Sequence, residues 1–267
     1  MPNPSAVSCR GLQKSFGDVH AVQGLDLDVE QGTVFGLLGP NGAGKTTAIR
    51  MLTTLLPPSG GSAQVAGFDV ATQAQQVRAA IGYVPQVLSA EGGLSGRENL
   101  LVFAKLYGLP RRERAARIAA ALADVGLEDA AERLVKTYSG GMVRRLEIAQ
   151  ALLHRPSVLF LDEPTIGLDP VARRAIWGRI EALRQEHQMT VILTTHYMDE
   201  ADALCDRIAI LHRGRVAAQG TPQELKAGLG RADATLDEVF TAATGDDLEA
   251  GSFQDAQRAR RTARRLG

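Results

Sequence analysis

The sequence lacks several features that would widen its possible roles. No apolar run approaches the roughly 18 residues needed to cross a bilayer. Met1-Pro2-Asn3-Pro4-Ser5 has neither the basic start nor the apolar stretch of a signal peptide. A cytoplasmic protein is expected, with any membrane role carried out through another chain. Net charge is also missing: 30 Lys and Arg balance 30 Asp and Glu. No global field therefore draws nucleic acid, and no nucleic-acid partner is expected. Cysteine is scarce. Cys9 and Cys205 stand far apart without metal-ligand spacing, which reads as two reduced, buried thiols. A length of 267 residues allows one α/β domain with a sizeable core and a small appendage.

What is present is organised around Gly39-Pro40-Asn41-Gly42-Ala43-Gly44-Lys45-Thr46-Thr47, a complete G-x-x-x-x-G-K-[ST] phosphate-binding pattern. Val34 to Leu38 before it reads as a buried strand and the segment after Lys45 as a helix. The glycines thus fall in a strand-to-helix turn, where positive φ and a missing Cβ let backbone N–H groups wrap a polyphosphate. The helix N-terminus adds partial positive charge, Lys45 a full charge for the β and γ phosphates, and Thr46 a hydroxyl for Mg²⁺. The pattern alone leaves kinases, GTPases, helicases and transport ATPases open.

Apolar and polar residues alternate from Val7 to Val29, which predicts a β-rich N-terminal region with one solvated face. Phe16 stands at a turn within it, where its position alone suits ordinary packing. Ala74 to Ala80 predicts a helix, and Ile81 to Val84 a strand delivering Gln86. Ser89 to Gly96 is glycine-rich and is expected to be a mobile connection. Arg97 to Tyr107, Arg111 to Val125 and Glu128 to Val135 carry helical spacing without intervening strands, so a helical insertion is expected at about 95–154. Val158 to Leu161 is a buried strand ending in Asp162-Glu163, followed by a helix over 171–186 and a buried strand at Thr190 to Thr194. Strands alternating with helices imply a largely parallel sheet with its ligand site at the strand carboxyl ends. Lys45, Gln86, Asp162, Glu163 and His196 all follow predicted strands. A hairpin is expected around Arg213-Gly214, then helices from Pro222 and Leu236. The tail from Gly251 carries Arg258, Arg260, Arg261, Arg264 and Arg265. It reads as a solvated or frayed helix, with contact to anionic headgroups or a partner subunit as the alternative.

Tyr138-Ser139-Gly140-Gly141-Met142 narrows the field. It precedes a helical segment and lies shortly before the strand ending Asp162-Glu163. Together with the phosphate loop, this resembles the ATP-binding cassette (ABC) ATPases over roughly residues 6–225. The resemblance implies a P-loop NTPase (RecA-like) α/β core with an N-terminal antiparallel β subdomain and an inserted α-helical subdomain. The cassette would occupy 1–230, and a C-terminal helical extension with the basic tail 231–267. It also implies ATP and Mg²⁺ as ligands, in a site formed by the phosphate loop with Phe16 against adenine. Thr46, Gln86 and Asp162 would lie at the metal, Glu163 would polarise the attacking water, and His196 and Lys45 would face the γ-phosphate. Ser139, Gly140 and Gly141 would reach nucleotide held by a second copy, and Asp169 would lie in a segment exchanged between copies. From the local sequence Ser139 also suits a plain helix cap.

The expected unit is a head-to-tail homodimer with ATP at the interface. Met142 departs from the family's usual glutamine; it removes a side-chain amide and leaves the backbone donors. YSGGM, Met51 to Leu55, Leu94 to Leu100 and Thr235 to Phe240 resemble the daunorubicin-resistance type of bacterial drug exporter. That type pairs with a separate ABC-2 membrane permease, which places this chain at the cytoplasmic face of the membrane. A non-transport ABC ATPase acting on DNA or the ribosome is the alternative; it would bring a coiled-coil insertion, a tandem cassette or a basic surface. A metabolic kinase would leave YSGGM and His196 without a role.

Overall fold

The structure is a computed structural model that describes residues 5–231 and 233–245 of the chain. Two long strands, β1 (Ser5–Phe16) and β2 (Val19–Glu30), pair antiparallel across the turn at Gly17-Asp18. Their alternation is the one read in the sequence: Leu25, Leu27 and Val29 are buried while Asp26, Asp28 and Glu30 face water. The chain then enters β3 (Val34–Leu38) and, through the phosphate loop, α1 (Lys45–Leu52). It returns to the first sheet as β4 (Gly60–Val65) and β5 (Phe68–Asp69), giving the order β2-β1-β4-β5.

After α2 (Ala74–Ala80) and β6 (Ile81–Val84), three helices follow without a strand between them: α3 (Gly96–Leu106), α4 (Arg111–Asp124) and α5 (Gly140–Leu152). The central sheet is completed by β7 (Val158–Asp162), β8 (Thr190–Thr195), β9 (Arg207–His212) and β10 (Arg215–Gly220), with α6 (Pro170–His187) and α7 (Met198–Leu204) between them. Its order is β10-β9-β3-β8-β7-β6, parallel from β9 to β6, with β10 antiparallel at the edge. The short helices α8 (Pro222–Ala227) and α9 (Leu236–Thr244) each begin with a Thr-to-Glu capping box. No described helix is long and apolar enough to cross a membrane. The basic tail from Gly251 lies outside the described residues.

The central sheet is apolar on both faces because each is covered. Along β3, Val34 and Leu38 join one core cluster with the helices, while Phe35 and Leu37 join another with the N-terminal sheet and α1. In β7, Leu159 and Leu161 divide from Val158 and Phe160 in the same way. This alternation on a doubly covered sheet makes the strands read as continuous hydrophobic runs. Cys9 and Cys205 are buried free thiols. Burial raises both pKa values, that of Cys9 to about 12, which leaves them as protonated packing groups.

Three local expectations are corrected. Glu128 to Val135 forms two single 3₁₀ turns, Glu128–Ala130 and Val135–Thr137, in place of a helix. The buried Ala130, Ala131 and Val135 pack onto the helical layer from these turns. The helix expected to follow Tyr138 to Met142 starts inside that motif, at Gly140, so the glycines after Ser139 form its first turn. Finally, the connection before α3 is tied down: Glu91 N–H donates to Asn99 Oδ1 at 2.9 Å, and Ser89 N–H donates to Glu147 Oε1.

Candidate functional site

The parallel strands β3, β8, β7 and β6 are neighbours in the sheet. Whatever follows each of them therefore emerges at one edge. The phosphate loop follows β3, His196 follows β8, Asp162 ends β7 with Glu163 next, and Gln86 lies two residues beyond β6.

The loop is shaped by three glycines. Gly39 (φ 148°), Gly42 (φ 82°) and Gly44 (φ 106°) are left-handed. A Cβ on Gly39 would come within 2.3 Å of Leu211 O, and one on Gly44 within 2.6 Å of Ala21 O. Around Gly42, by contrast, nothing lies within 4 Å. Pro40 O accepts from Ala43 N–H at 3.2 Å, and Asn41 stands exposed between them. Gly44 stands at the N-cap of α1 and offers no side-chain cap, so the first-turn N–H groups, around Thr46 and Thr47, remain donors for an anion.

Lys45 and Glu163 are the centre of the site, with side chains 4% and 5% exposed. Lys45 Nζ lies 3.2 Å from Glu163 Oε1 and donates to Gly39 O at 2.7 Å and Pro40 O at 3.2 Å. Glu163 Oε2 accepts from Gln86 Nε2 at 3.1 Å, and His196 Nδ1 approaches it at 3.5 Å, the outer limit of a hydrogen bond. Glu163 is itself a left-handed residue (φ 49°); its N–H is held by Thr194 Oγ1 at 2.9 Å and Thr194 O at 3.2 Å. A non-glycine residue in this conformation, over-determined by its neighbours, fits a functional position. Burial works to raise the Glu163 pKa, but His196 and Lys45 outweigh it and hold the carboxyl below its usual range. For Lys45 burial wins over the two carboxylates and lowers its pKa.

Asp162 is fully buried beside them. Its Oδ1 accepts from Thr46 Oγ1 at 3.0 Å and from Thr194 Oγ1 at 2.7 Å. Its Oδ2 is buried with no hydrogen-bond partner among the described residues. An unpartnered carboxylate oxygen next to a threonine hydroxyl is a hard-oxygen donor set, which fits Mg²⁺.

Lys45, Gln86, Asp162, Glu163, His196 and Thr46 are thus brought together. Phe16 and the Ser139 segment stand apart. Phe16 is half exposed at the end of β1, with Lys14 Nζ 5.3 Å from its ring centre. Ser139 and Gly140 are exposed at the start of α5, where Ser139 Oγ accepts from Met142 N–H at 3.3 Å. Cβ atoms on Gly140 and Gly141 would meet Leu168 and Ala172 at 3.8 and 3.6 Å, next to Asp169, which caps α6.

The ABC transporter profile matches residues 22–166. The chain is 51% identical over 228 residues to the daunorubicin/doxorubicin resistance ATP-binding protein DrrA of Streptomyces peucetius, covering 84% of this chain and 68% of that protein. The chain belongs to the ABC transporter family. As an ABC-type transport ATPase it binds ATP and hydrolyses it. It is also 43% identical over 219 residues to the Nod factor export ATP-binding protein I of Ralstonia nicotianae, covering 82% of this chain and 68% of that protein. The solved ATP-binding subunit of an ABC transporter superposes with a TM-score of 0.80 at 29% identity, covering 90% of this chain and 99% of that one. The ABC fold read from the motifs, a P-loop core with an N-terminal antiparallel sheet, is the one observed. The likeness to the daunorubicin-resistance type is met by relatives of that name.

Sequence reasoning passed over two buried groups of this ABC ATPase. Glu200 accepts from Thr165 Oγ1 at 2.9 Å and Thr195 Oγ1 at 3.2 Å, and Arg173 Nε lies 3.2 Å away, joining the loop after Glu163 to the residue before His196. Arg144 and Glu147 form a buried pair against the Gln86 segment. Their signal is faint in sequence, because an Arg and a Glu three apart on a helix normally mark a solvated face.

Proposed function

We propose that this chain is the ATP-hydrolysing subunit of an exporter and that it works on a separate membrane permease of the ABC-2 type. Two copies would pair head to tail, Ser139, Gly140 and Gly141 of each facing nucleotide on the phosphate loop of the other. The observation that carries the reading is the convergence of Lys45, Gln86 and His196 on the Glu163 carboxylate, with Thr46 and Asp162 alongside.

The chemistry follows from those groups. The loop N–H groups from Gly39 to Thr47 and the start of α1 bind the phosphates of ATP, and Phe16 offers its exposed ring to the base. Lys45 leaves Glu163 for the γ-phosphate, which frees the carboxylate. Glu163, ionised because its pKa is depressed, then accepts a proton from water as that water attacks the γ-phosphorus and the bridging bond to ADP breaks. Gln86 and His196 orient the water and the γ-phosphate oxygens. Mg²⁺, held by Thr46 and Asp162 when bound, supplies positive charge against the phosphate oxygens. Hydrolysis removes the contact that holds two copies together, so the pair opens and the permease is reset at the cytoplasmic face of the membrane.

The drug-resistance and export relatives favour export over action on DNA or the ribosome. Co-expression with ABC-2 permeases tests this. The expected result is a stable complex whose ATPase activity rises when a transported compound is added. Co-purification with ribosomes or DNA, and with no permease, would overturn it.

A further inference from the structure

Gln86 lies in a short segment, Pro85 to Ser89, that follows the edge strand β6 on the way to α3. Both ends of that segment are held from one place. Arg144, on α5, donates through Nη1 to Pro85 O at 2.6 Å and through Nη2 to Gln86 O at 2.9 Å. Nη1 also donates to Glu147 Oε2 at 2.9 Å, one turn further along the helix. Glu147 uses its other oxygen at the far end, accepting from Ser89 N–H and, at 3.1 Å, from Ser89 Oγ. Between the anchors Val87 and Leu88 are exposed. The Gln86 side chain meanwhile donates to Glu163.

The pair is an expensive way to fill this space. Arg144 and Glu147 are 2% exposed, and a buried ion pair usually stabilises a fold no more than two apolar side chains of the same size. What an apolar pair could not do is fork onto two successive carbonyls and take an N–H and a hydroxyl three residues later. The pair therefore determines position, and what it positions is the backbone that carries Gln86. The same helix begins at Ser139 and Gly140. Arg144 sits five residues from Ser139, about 7 Å along a rigid rod.

We infer that Arg144 and Glu147 are positioning residues that lock the Pro85–Ser89 segment to α5, so that Gln86 and the Ser139–Gly141 turn move as one body. This rests on the role proposed above for Gln86. Displacing the exposed tip at Val87 and Leu88 would then shift Gln86 relative to Glu163 and tilt the start of α5 in the same motion. ATP held at the phosphate loop would be sensed by both.

The test uses the full chain. Arg144→Lys keeps the charge and loses the fork. It is expected to lower kcat for ATP hydrolysis about tenfold while KM for ATP changes less than threefold, with the melting temperature measured alongside. On a Gln86→Ala background the same substitution should add less than a twofold loss, because it acts through Gln86. A second tenfold loss there, or an unchanged kcat in Arg144→Lys alone, would overturn the inference. Hydrogen exchange gives an independent reading. Peptides over 85–90 should exchange faster in Arg144→Lys, with 39–47 unchanged, and unchanged exchange over 85–90 would sink the clamp whatever the rates. If Gln86→Ala alone turns over normally, the role of Gln86 fails, and the exchange data still judge the clamp.

Discussion

Glu163→Gln separates binding from chemistry in a way the geometry makes quantitative. In the protein the Glu163 carboxylate holds Lys45 at 3.2 Å with both groups buried. At an effective dielectric near 20, two unit charges at that distance attract by about 5 kcal/mol. ATP must compete with this pair for Lys45, and its γ-phosphate must also sit near the negative carboxylate. Glutamine keeps the shape and an acceptor oxygen but removes both electrostatic obstacles. If a quarter to a half of the gross term is recovered, ATP binds roughly ten- to a hundredfold tighter, about 1.4 to 2.7 kcal/mol. Hydrolysis loses its base and falls by about 10² to 10⁴. Without nucleotide the variant should melt at a lower temperature, since buried Lys45 loses its ion pair with Glu163 and keeps only the charge of Asp162 against its desolvation. Titration with a fluorescent ATP analogue, phosphate release and size exclusion with MgATP read the three quantities, and the last should show a trapped dimer. Normal turnover would refute the base role. Turnover lost with ATP affinity unchanged or weaker would keep that role and refute the competition for Lys45.

Two further outcomes follow from local geometry. Gly39→Ala drives a Cβ to 2.3 Å from Leu211 O at φ 148°, whereas Gly42→Ala meets nothing within 4 Å. Gly39→Ala should lower the melting temperature by roughly 5–10 °C and Gly42→Ala by clearly less; equal melts would refute the close-packing argument. For pH, Asp169, Glu224 and Glu238 are held below their ordinary values by the backbone N–H groups they cap. Their contribution is complete above the unfolded carboxylate range, about 4, and is lost as pH falls through the lower folded values. Thermal melts should therefore show no loss from these groups between pH 8 and 5 and a fall below about pH 4; a rise on acidification below pH 4 would contradict the sign.

Much of the fold was legible because its periodicities are local. Leu25 to Val29 alternates because one face of the N-terminal sheet is wet, and Val158 to Leu161 does not alternate because both faces of the central sheet are covered. Glu128 to Val135 misled because three buried apolar residues at helical spacing can equally be pressed into the core from 3₁₀ turns. There Tyr138 Oη donates to Ala130 O at 2.6 Å, and a bridge pairs Leu134 with Ser95. Glycine is a poor helix former, so the sequence sets the start of α5 after the motif and not within it. In a first turn, however, the N–H groups lack partners anyway, and the Ser139 cap matters more than propensity.

The candidate site divides along the same line. Lys45, Asp162 and Glu163 could be read because each is tied to a strand that announces itself, Asp162 and Glu163 at the end of β7 and Lys45 across the phosphate loop from β3, so one sheet edge gathers them without knowledge of the tertiary structure. Arg144 and Glu147 could not, because nothing in their sequence neighbourhood says that this face of α5 is buried. That burial is produced by the Pro85–Ser89 segment folding back over it, a contact between residues almost sixty apart in the chain. The residues that perform phosphate chemistry are thus written in local motifs. Those that tie the nucleotide site to the rest of the molecule emerge only from packing, and in this chain the tie runs through a buried charge pair whose cost in desolvation makes sense only if position is what it secures.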